Sequence, residues 1–164
     1  MMDGLADAIE IRRATPAELR DAYTIVSDYY QAASVVQRDT EDDFLRDYFC
    51  AGSGVWLARF GEGIIGCIAL RHLGQPHSAE IKRLYVRPEA RGHGVAQLLL
   101  EAAESFAQAA GYGWIYLDTT DEMKAAARFY QRNGYQPCER YNDNPQATIF
   151  MRKHIADRRR LSAF

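Results

Sequence analysis

The sequence has no excess of charge of either sign: 20 lysines and arginines stand against 22 aspartates and glutamates, a formal net charge of −2. No overall field draws it to nucleic acid or to an anionic membrane, so either would need a local patch. The one strong basic run, Arg158-Arg159-Arg160, sits near the end and reads as part of a solvated C-terminal tail over 156–164. No stretch approaches the roughly 20 apolar residues that span a bilayer, and the start, MMDGLADAIEIRR, lacks the charged-then-apolar order of a secretion signal. A cytoplasmic location is the expectation. Cysteine is scarce, with Cys50, Cys67 and Cys138 far apart and without CxxC spacing. That argues against a disulfide framework and a zinc site, so no metal is expected and the thiols read as small core hydrophobes. There is no repeat, no low-complexity linker and no visible boundary. The 164 residues, 48% of them apolar, suit a single domain over 1–164.

Local signals divide the chain into alternating elements. A strand, AIEIRRA, gives way to Thr15-Pro16-Ala17-Glu18, where an N-cap threonine, a first-turn proline and a capping-box glutamate start a helix that runs to about Tyr30. Asp39 and Thr40 open a second helix with Phe44, Leu45, Tyr48 and Phe49 on it, ended near Gly52. VWLARF and IIGCIALRHL flank Gly61-Glu62-Gly63 as a hairpin, and AEIKRLYV adds a third strand. Val95, Leu98, Leu99, Ala102, Phe106 and Ala109 recur at helical spacing before Gly111. The strand WIYLD follows, then a capping box of Thr119 and Glu122 predicts a helix carrying Met123, Ala126, Ala127 and Tyr130 on one face and closed by Gly134. YQPCERY and ATIFMRK finish the chain as strands. The fold class is mixed α/β: strand, two helices, a three-strand meander, helix, strand, helix, two strands.

The richest stretch is RLYVRPEARGHGVAQLLLEAAE, residues 83–104. A plain strand-to-helix turn explains Pro88, Gly92 and Gly94 by their backbone freedom. It does not explain the missing cap, since no Ser, Thr, Asp or Asn stands at 91–94 to receive the first helical N–H groups. A bound phosphate would receive them, favoured by the helix dipole and by the charge of Arg91. A Rossmann dinucleotide site is one candidate, with Asp118 ending the next strand as the ribose acid. Gln97 replaces its third glycine, however, and a meander precedes it where a βαβ unit should open. A P-loop fails because no Gly-Lys-Ser/Thr follows.

Two motifs in order resemble one family. Arg91-Gly92-His93-Gly94-Val95-Ala96 is similar to the R/Q-x-x-G-x-G/A motif of the GCN5-related N-acetyltransferases, and Leu84-Tyr85-Val86-Arg87-Pro88 to the strand that leads into it. Ala127-Arg128-Phe129-Tyr130-Gln131-Arg132-Asn133-Gly134-Tyr135 resembles the family's later motif, and the order of elements matches over about residues 9–153. The resemblance implies an acetyl-CoA acyltransferase fold whose central sheet splays between AEIKRLYV and WIYLD. It implies that the backbone of Arg91, Gly92, His93, Gly94, Val95 and Ala96 holds the pyrophosphate of acetyl-CoA. His93 takes part through its backbone, because that position varies in type. The backbone of Leu84 and Val86 would pair with the pantetheine arm like an added strand.

By the same resemblance, Tyr130 is the general acid that protonates the leaving thiolate, the alternative being a packed aromatic beside Phe129. Glu80 occupies the place of the carboxylate that draws the proton from the amine, directly or through water. Its alternatives are a surface carboxylate or an ion pair with Lys82 or Arg83. Tyr141 and Asn144, in the loop YNDNP, are nominated to line the acceptor, although ordinary turn chemistry also explains that loop. Where many relatives carry an asparagine seven residues before the helix tyrosine, this chain has Met123, which donates no hydrogen bond. The expected activity is direct transfer of acetyl to a primary amine of a small molecule, without an acyl-enzyme, since neither motif contains cysteine. The alternatives are a protein or peptide amine as acceptor and a degenerate acyl-CoA-binding regulatory module. Dimers are common in the family, so a homodimer joins the expected partners. Tyr23, Tyr29, Tyr30 and Tyr48 on the first helices read as core, with an aromatic-lined pocket as the second reading.

Overall fold

The computed structural model describes residues 8–155. The Arg158–Arg160 run and the rest of the expected tail over 156–164 lie outside the described residues. Among the described residues, seven strands and four longer helices follow the expected order, the first of these helices after a short 3-10 turn, Pro16–Glu18. The strands are β1 (Ile9–Arg13), β2 (Gly54–Phe60), β3 (Gly63–His72), β4 (Ser78–Val86), β5 (Trp114–Thr119), β6 (Gln136–Pro137) and β7 (Ile149–His154). The helices are α1 (Leu19–Ala32), α2 (Glu41–Tyr48), α3 (Val95–Ala109) and α4 (Lys124–Arg132). Residues 8–71 with 81–106 form one compact unit, and 72–80 with 107–155 form another. β4 passes from the second to the first, so the strands make one mixed seven-stranded sheet in the order β1-β2-β3-β4-β5-β7-β6.

In the first unit, β1 runs antiparallel to β2, and β2 to β3, the hairpin closing at Phe60 opposite Gly63. Residue alternation separates two apolar faces. Val55, Leu57, Cys67 and Ala69 join Ile25, Val26, Tyr30, Phe44 and Tyr48 of α1 and α2 in a buried cluster. Gly66 is turned the other way: a Cβ there would meet the Tyr85 carbonyl at 3.0 Å, Leu99 Cδ1 at 3.1 Å and Val95 Cγ1 at 3.2 Å. Glycine is what lets α3 lie this close to the sheet. The capping box expected at Thr15–Glu18 forms, and the second helix, expected to open at Thr40, is capped by a box that the sequence reading did not name. Glu18 reaches back to the Thr15 N–H at 3.0 Å, while Thr40 and Asp43 exchange bonds at 3.1 and 3.2 Å. The backbone bond from Thr15, first among its causes, holds the Glu18 carboxyl below its usual range.

In the second unit, Ser78–Glu80 run parallel to Trp114–Tyr116, and the register extends no further. β5 pairs antiparallel with β7 from Trp114 opposite His154 to Thr119 opposite Ile149. The last expected strand before β7 is reduced to Gln136–Pro137. The helix start expected at Thr119 moves as well. Thr119 remains in the β5 ladder and its carbonyl accepts from the Thr148 N–H at 3.0 Å, so α4 begins at Lys124 with Met123 as an N-cap that gives no side-chain bond. Gly134, at φ +90°, closes α4 as expected.

Candidate active site

The glycine corner lies wholly in the first unit. After β4 the chain makes a 3-10 turn at Pro88–Ala90, passes Gly92 at φ +83° and Gly94 at φ +79°, and enters α3. A Cβ on either glycine would meet nothing within 4 Å. Crowding by protein therefore does not demand glycine here; the left-handed backbone does, and it leaves an open cradle. The N–H groups of Gly92, His93, Gly94, Val95 and Ala96 donate to no backbone carbonyl among the described residues, and the Leu98 N–H donates to the Gly94 carbonyl at 3.1 Å. Arg91 folds back, its Nε donating to the Val86 carbonyl at 3.0 Å and its guanidinium 6.0 Å from the centre of the Tyr85 ring. Five backbone donors, an adjacent fixed cation and no side-chain cap suit a polyphosphate group. Leu84 and Val86 lie half-buried on β4.

β4 also carries an arginine that the sequence reading misplaced. Arg83 stands at φ +60°, a left-handed position rare for an arginine, and its carbonyl accepts from Cys67 Sγ at 3.2 Å. Its guanidinium pairs with Asp39 at 3.1 Å and lies 4.9 Å from the centre of the Tyr30 ring. The bridge that ties β4 down is thus Arg83 to Asp39, in place of the Arg83–Glu80 pair weighed from the sequence. Tyr30 donates to Asp39 at 3.0 Å, and burial pushes its pKa up to about 12. Tyr30 and Tyr48 are core residues, 2% and 0% exposed.

Glu80 lies in the second unit and is only 1% exposed, which removes the surface reading. Its Oε2 accepts from the Tyr141 hydroxyl at 2.7 Å and from Asn142 Nδ2 at 3.1 Å. The same Nδ2 donates to Asp118 Oδ2 at 2.6 Å, and Asn144 Nδ2 approaches that oxygen at 3.4 Å. Arg140 shapes the loop by donating to the carbonyls of Asn144 at 3.0 Å and Ala147 at 3.1 Å, with its guanidinium 4.6 Å from the centre of the Phe150 ring. The Tyr141 ring packs against Tyr116 at 5.1 Å and Phe150 at 5.6 Å. Burial, then the charges of Glu80 and Asp118, push the Tyr141 phenol far above its ordinary pKa, so it stays a donor. Asp118 and Asn142 are the members that sequence reasoning missed. Their signal was a carboxylate ending the apolar strand WIYLD and a loop crowded with Asn and Asp.

Tyr130 is the buried residue of α4, 6% exposed, with its ring edge-on to Phe129 at 5.4 Å and to Tyr135 at 5.6 Å. Met123 is exposed at the start of the same helix. His93 is half-buried between its glycines. Among the described residues, no group of three or more His, Cys, Asp or Glu is placed to hold a metal, and no helix is long and apolar enough to cross a membrane.

A mixed sheet with a glycine corner after its fourth strand fits the fold of acyl-CoA-dependent acyltransferases. The model of the acetyltransferase (GNAT) family matches residues 19–135, and the chain belongs to that family of N-acetyltransferases. An uncharacterized N-acetyltransferase of Schizosaccharomyces pombe is 32% identical over 148 residues, covering 86% of this chain and 91% of that one. N-acetyltransferase 8B of Rattus norvegicus is 30% identical over 55% of this chain, which spans only 42% of its length. Among solved structures, a GNAT-family acetyltransferase from Staphylococcus aureus Mu50 superimposes with a TM-score of 0.78 over 90% of this chain and 99% of that one, at 19% identity. The PaiA N-acetyltransferase of Thermoplasma acidophilum, solved in complex with coenzyme A, gives 0.66 over 90% of this chain and 99% of that one, also at 19% identity.

Proposed function

We propose that this chain transfers the acetyl group of acetyl-CoA directly to the primary amine of a small molecule. The observation that carries the reading is the run of backbone donors from Gly92 to Ala96, open on the side where a Cβ would stand. These donors would take the pyrophosphate of acetyl-CoA with Arg91 beside it, and the backbone of Leu84 and Val86 would take the pantetheine arm. In the reaction the amine nitrogen attacks the thioester carbonyl, a C–N bond forms, the C–S bond breaks, and coenzyme A leaves as a thiolate. Tyr130 would give that thiolate its proton. A phenol with a pKa of about 10 is a reasonable donor to a thiolate whose acid has a pKa of about 8.5. Glu80 would take the proton lost by the amine, directly or through water, and Tyr141 and Asn144 belong to the loop nominated for the acceptor side.

The acceptor class is tested with phenethylamine, spermidine, alanine amide and a lysine peptide, following thiol release from acetyl-CoA. Turnover with one of the first three and none with the peptide is the expected result. Turnover with the peptide alone would assign a protein or peptide acceptor, and no turnover with any would overturn the reading. Tyr130→Phe should lower kcat by about one to three orders of magnitude, and an unchanged kcat would remove Tyr130 from the mechanism.

A further inference from the structure

We propose that Asn142 is a positioning residue for Glu80, tying that carboxylate to Asp118 and, together with Tyr141, fixing the direction in which it faces. This inference rests on the reading of Glu80 as the proton acceptor. Its ground is how the side chain of Asn142 is spent. Nδ2 reaches Glu80 Oε2 at 3.1 Å and Asp118 Oδ2 at 2.6 Å. An amide nitrogen has two hydrogens fixed in one plane, so each carboxylate takes one. The amide oxygen accepts from the Asn144 N–H at 3.1 Å. Turning the side chain toward any acceptor molecule would forfeit all three bonds, so the residue acts through Glu80.

Rigidity supports the same conclusion. Arg140 donates to the loop carbonyls of Asn144 and Ala147, Asn144 Oδ1 accepts from the Gln146 N–H at 3.1 Å, and Tyr141 is held between two aromatic rings. Arg152 donates to the Tyr116 hydroxyl at 3.3 Å, bracing the ring against which Tyr141 leans. Tyr141 and Asn142 from the loop both bond the Glu80 carboxylate, and Tyr116 stands beside Glu80 in the β4–β5 ladder with Asp118 two residues further along β5. Placing two carboxylates on one nitrogen costs Coulomb repulsion that an apolar pair at these positions would avoid. Such a cost, met with a braced loop, is what a reacting group in need of orientation requires. Tyr141, in this account, spends its hydroxyl on Glu80.

The test uses the full chain, the amine that gives turnover in the panel above, and the single and double variants of Glu80→Gln, Asn142→Ala and Tyr141→Phe. Glu80→Gln should lower kcat about 10²- to 10³-fold. Asn142→Ala and Tyr141→Phe should each lower kcat roughly 10- to 100-fold with an unchanged KM for acetyl-CoA, and neither should lower it further in a Glu80→Gln background. A merely structural role would instead multiply the two losses. Full activity of Asn142→Ala, or an undiminished effect of it on Glu80→Gln, overturns the positioning role while leaving Glu80 in place. Full activity of Glu80→Gln overturns the base reading and this inference with it. Tyr141→Phe, which keeps the ring packing and removes only the hydroxyl, decides the matter if Asn142→Ala does not fold.

Discussion

Replacing Asp39 by alanine removes the acceptor around which a half-buried network is arranged. Its Oδ2 accepts from Arg83 Nη2 at 3.1 Å and from the Tyr30 hydroxyl at 3.0 Å, and its own N–H donates to the Tyr30 oxygen at 3.2 Å. The two charged side chains are 14% and 19% exposed, and Arg83 Nε is buried without a hydrogen-bond partner. After the substitution the guanidinium keeps the Tyr30 ring but loses the carboxylate. Removing one member of a fully buried pair costs about 3–5 kcal/mol, and the residual exposure here places the cost at the lower end, about 3 kcal/mol. In a chain of 164 residues that is roughly 6–12 °C in Tm. Asp39→Asn keeps an acceptor for both donors and should cost only about 1 kcal/mol. Adding Arg83→Met to Asp39→Ala removes the stranded charge and should recover most of the loss, so the cycle is strongly non-additive. Urea unfolding of the parent, Asp39→Ala, Arg83→Met and the double variant measures it. A cost below about 1 kcal/mol for Asp39→Ala, or strict additivity, would show that water satisfies the guanidinium and refute the reasoning.

Two further predictions concern the corner and the core. Gly94→Ala meets no clash, so it should destabilise only by the left-handed strain at φ +79°, about 1–2 kcal/mol, while abolishing the rise in Tm that the proposed binding of acetyl-CoA should give the parent. A full rise in the variant would place the phosphates elsewhere. Burial pushes the Cys67 thiol from 9.0 up to about 12. The folded state then holds that proton more tightly than the unfolded chain, so its contribution is complete below pH 9 and is lost as pH rises from 9 toward 12. The slope is at most about 1.4 kcal/mol per pH unit. The stability difference between the parent and Cys67→Ala, measured in urea at successive pH values, should shrink above pH 9. Parallel curves would refute it.

Element order was legible because its signals are local. The Thr15–Glu18 box, the helix start at Thr40, the Gly61-Glu62 hairpin turn and the positive-φ closures at Gly111 and Gly134 each act within a few residues, and the structure keeps them. The Thr119–Glu122 box failed because a non-local interaction prevailed: the ladder with β7 holds Thr119 in extended backbone. Arg83 failed for a different reason. A left-handed arginine has no sequence signature, and its partner Asp39 lies 44 residues away. The glycine corner stood out because the information there is what the sequence omits, namely a cap. Asn142 is marked only by a loop crowded with Asn and Asp, and its partners Glu80 and Asp118 are 62 and 24 positions away.

What brings those partners together is strand register. Glu80 pairs with Tyr116 at the last step of the β4–β5 ladder, and side chains alternate, so Glu80, Tyr116 and Asp118 fall on one face. A slip of one residue would set Glu80 opposite Ile115 or Leu117, both buried, and would turn the carboxylate to the wrong face. The apolar residues Ala79, Ile115 and Leu117, on the opposite face, therefore define the position of the charge as firmly as its hydrogen bonds do. A carboxylate at position 80 is tolerated because the fold decides its face first, and Tyr141 and Asn142 then have only its rotation left to fix.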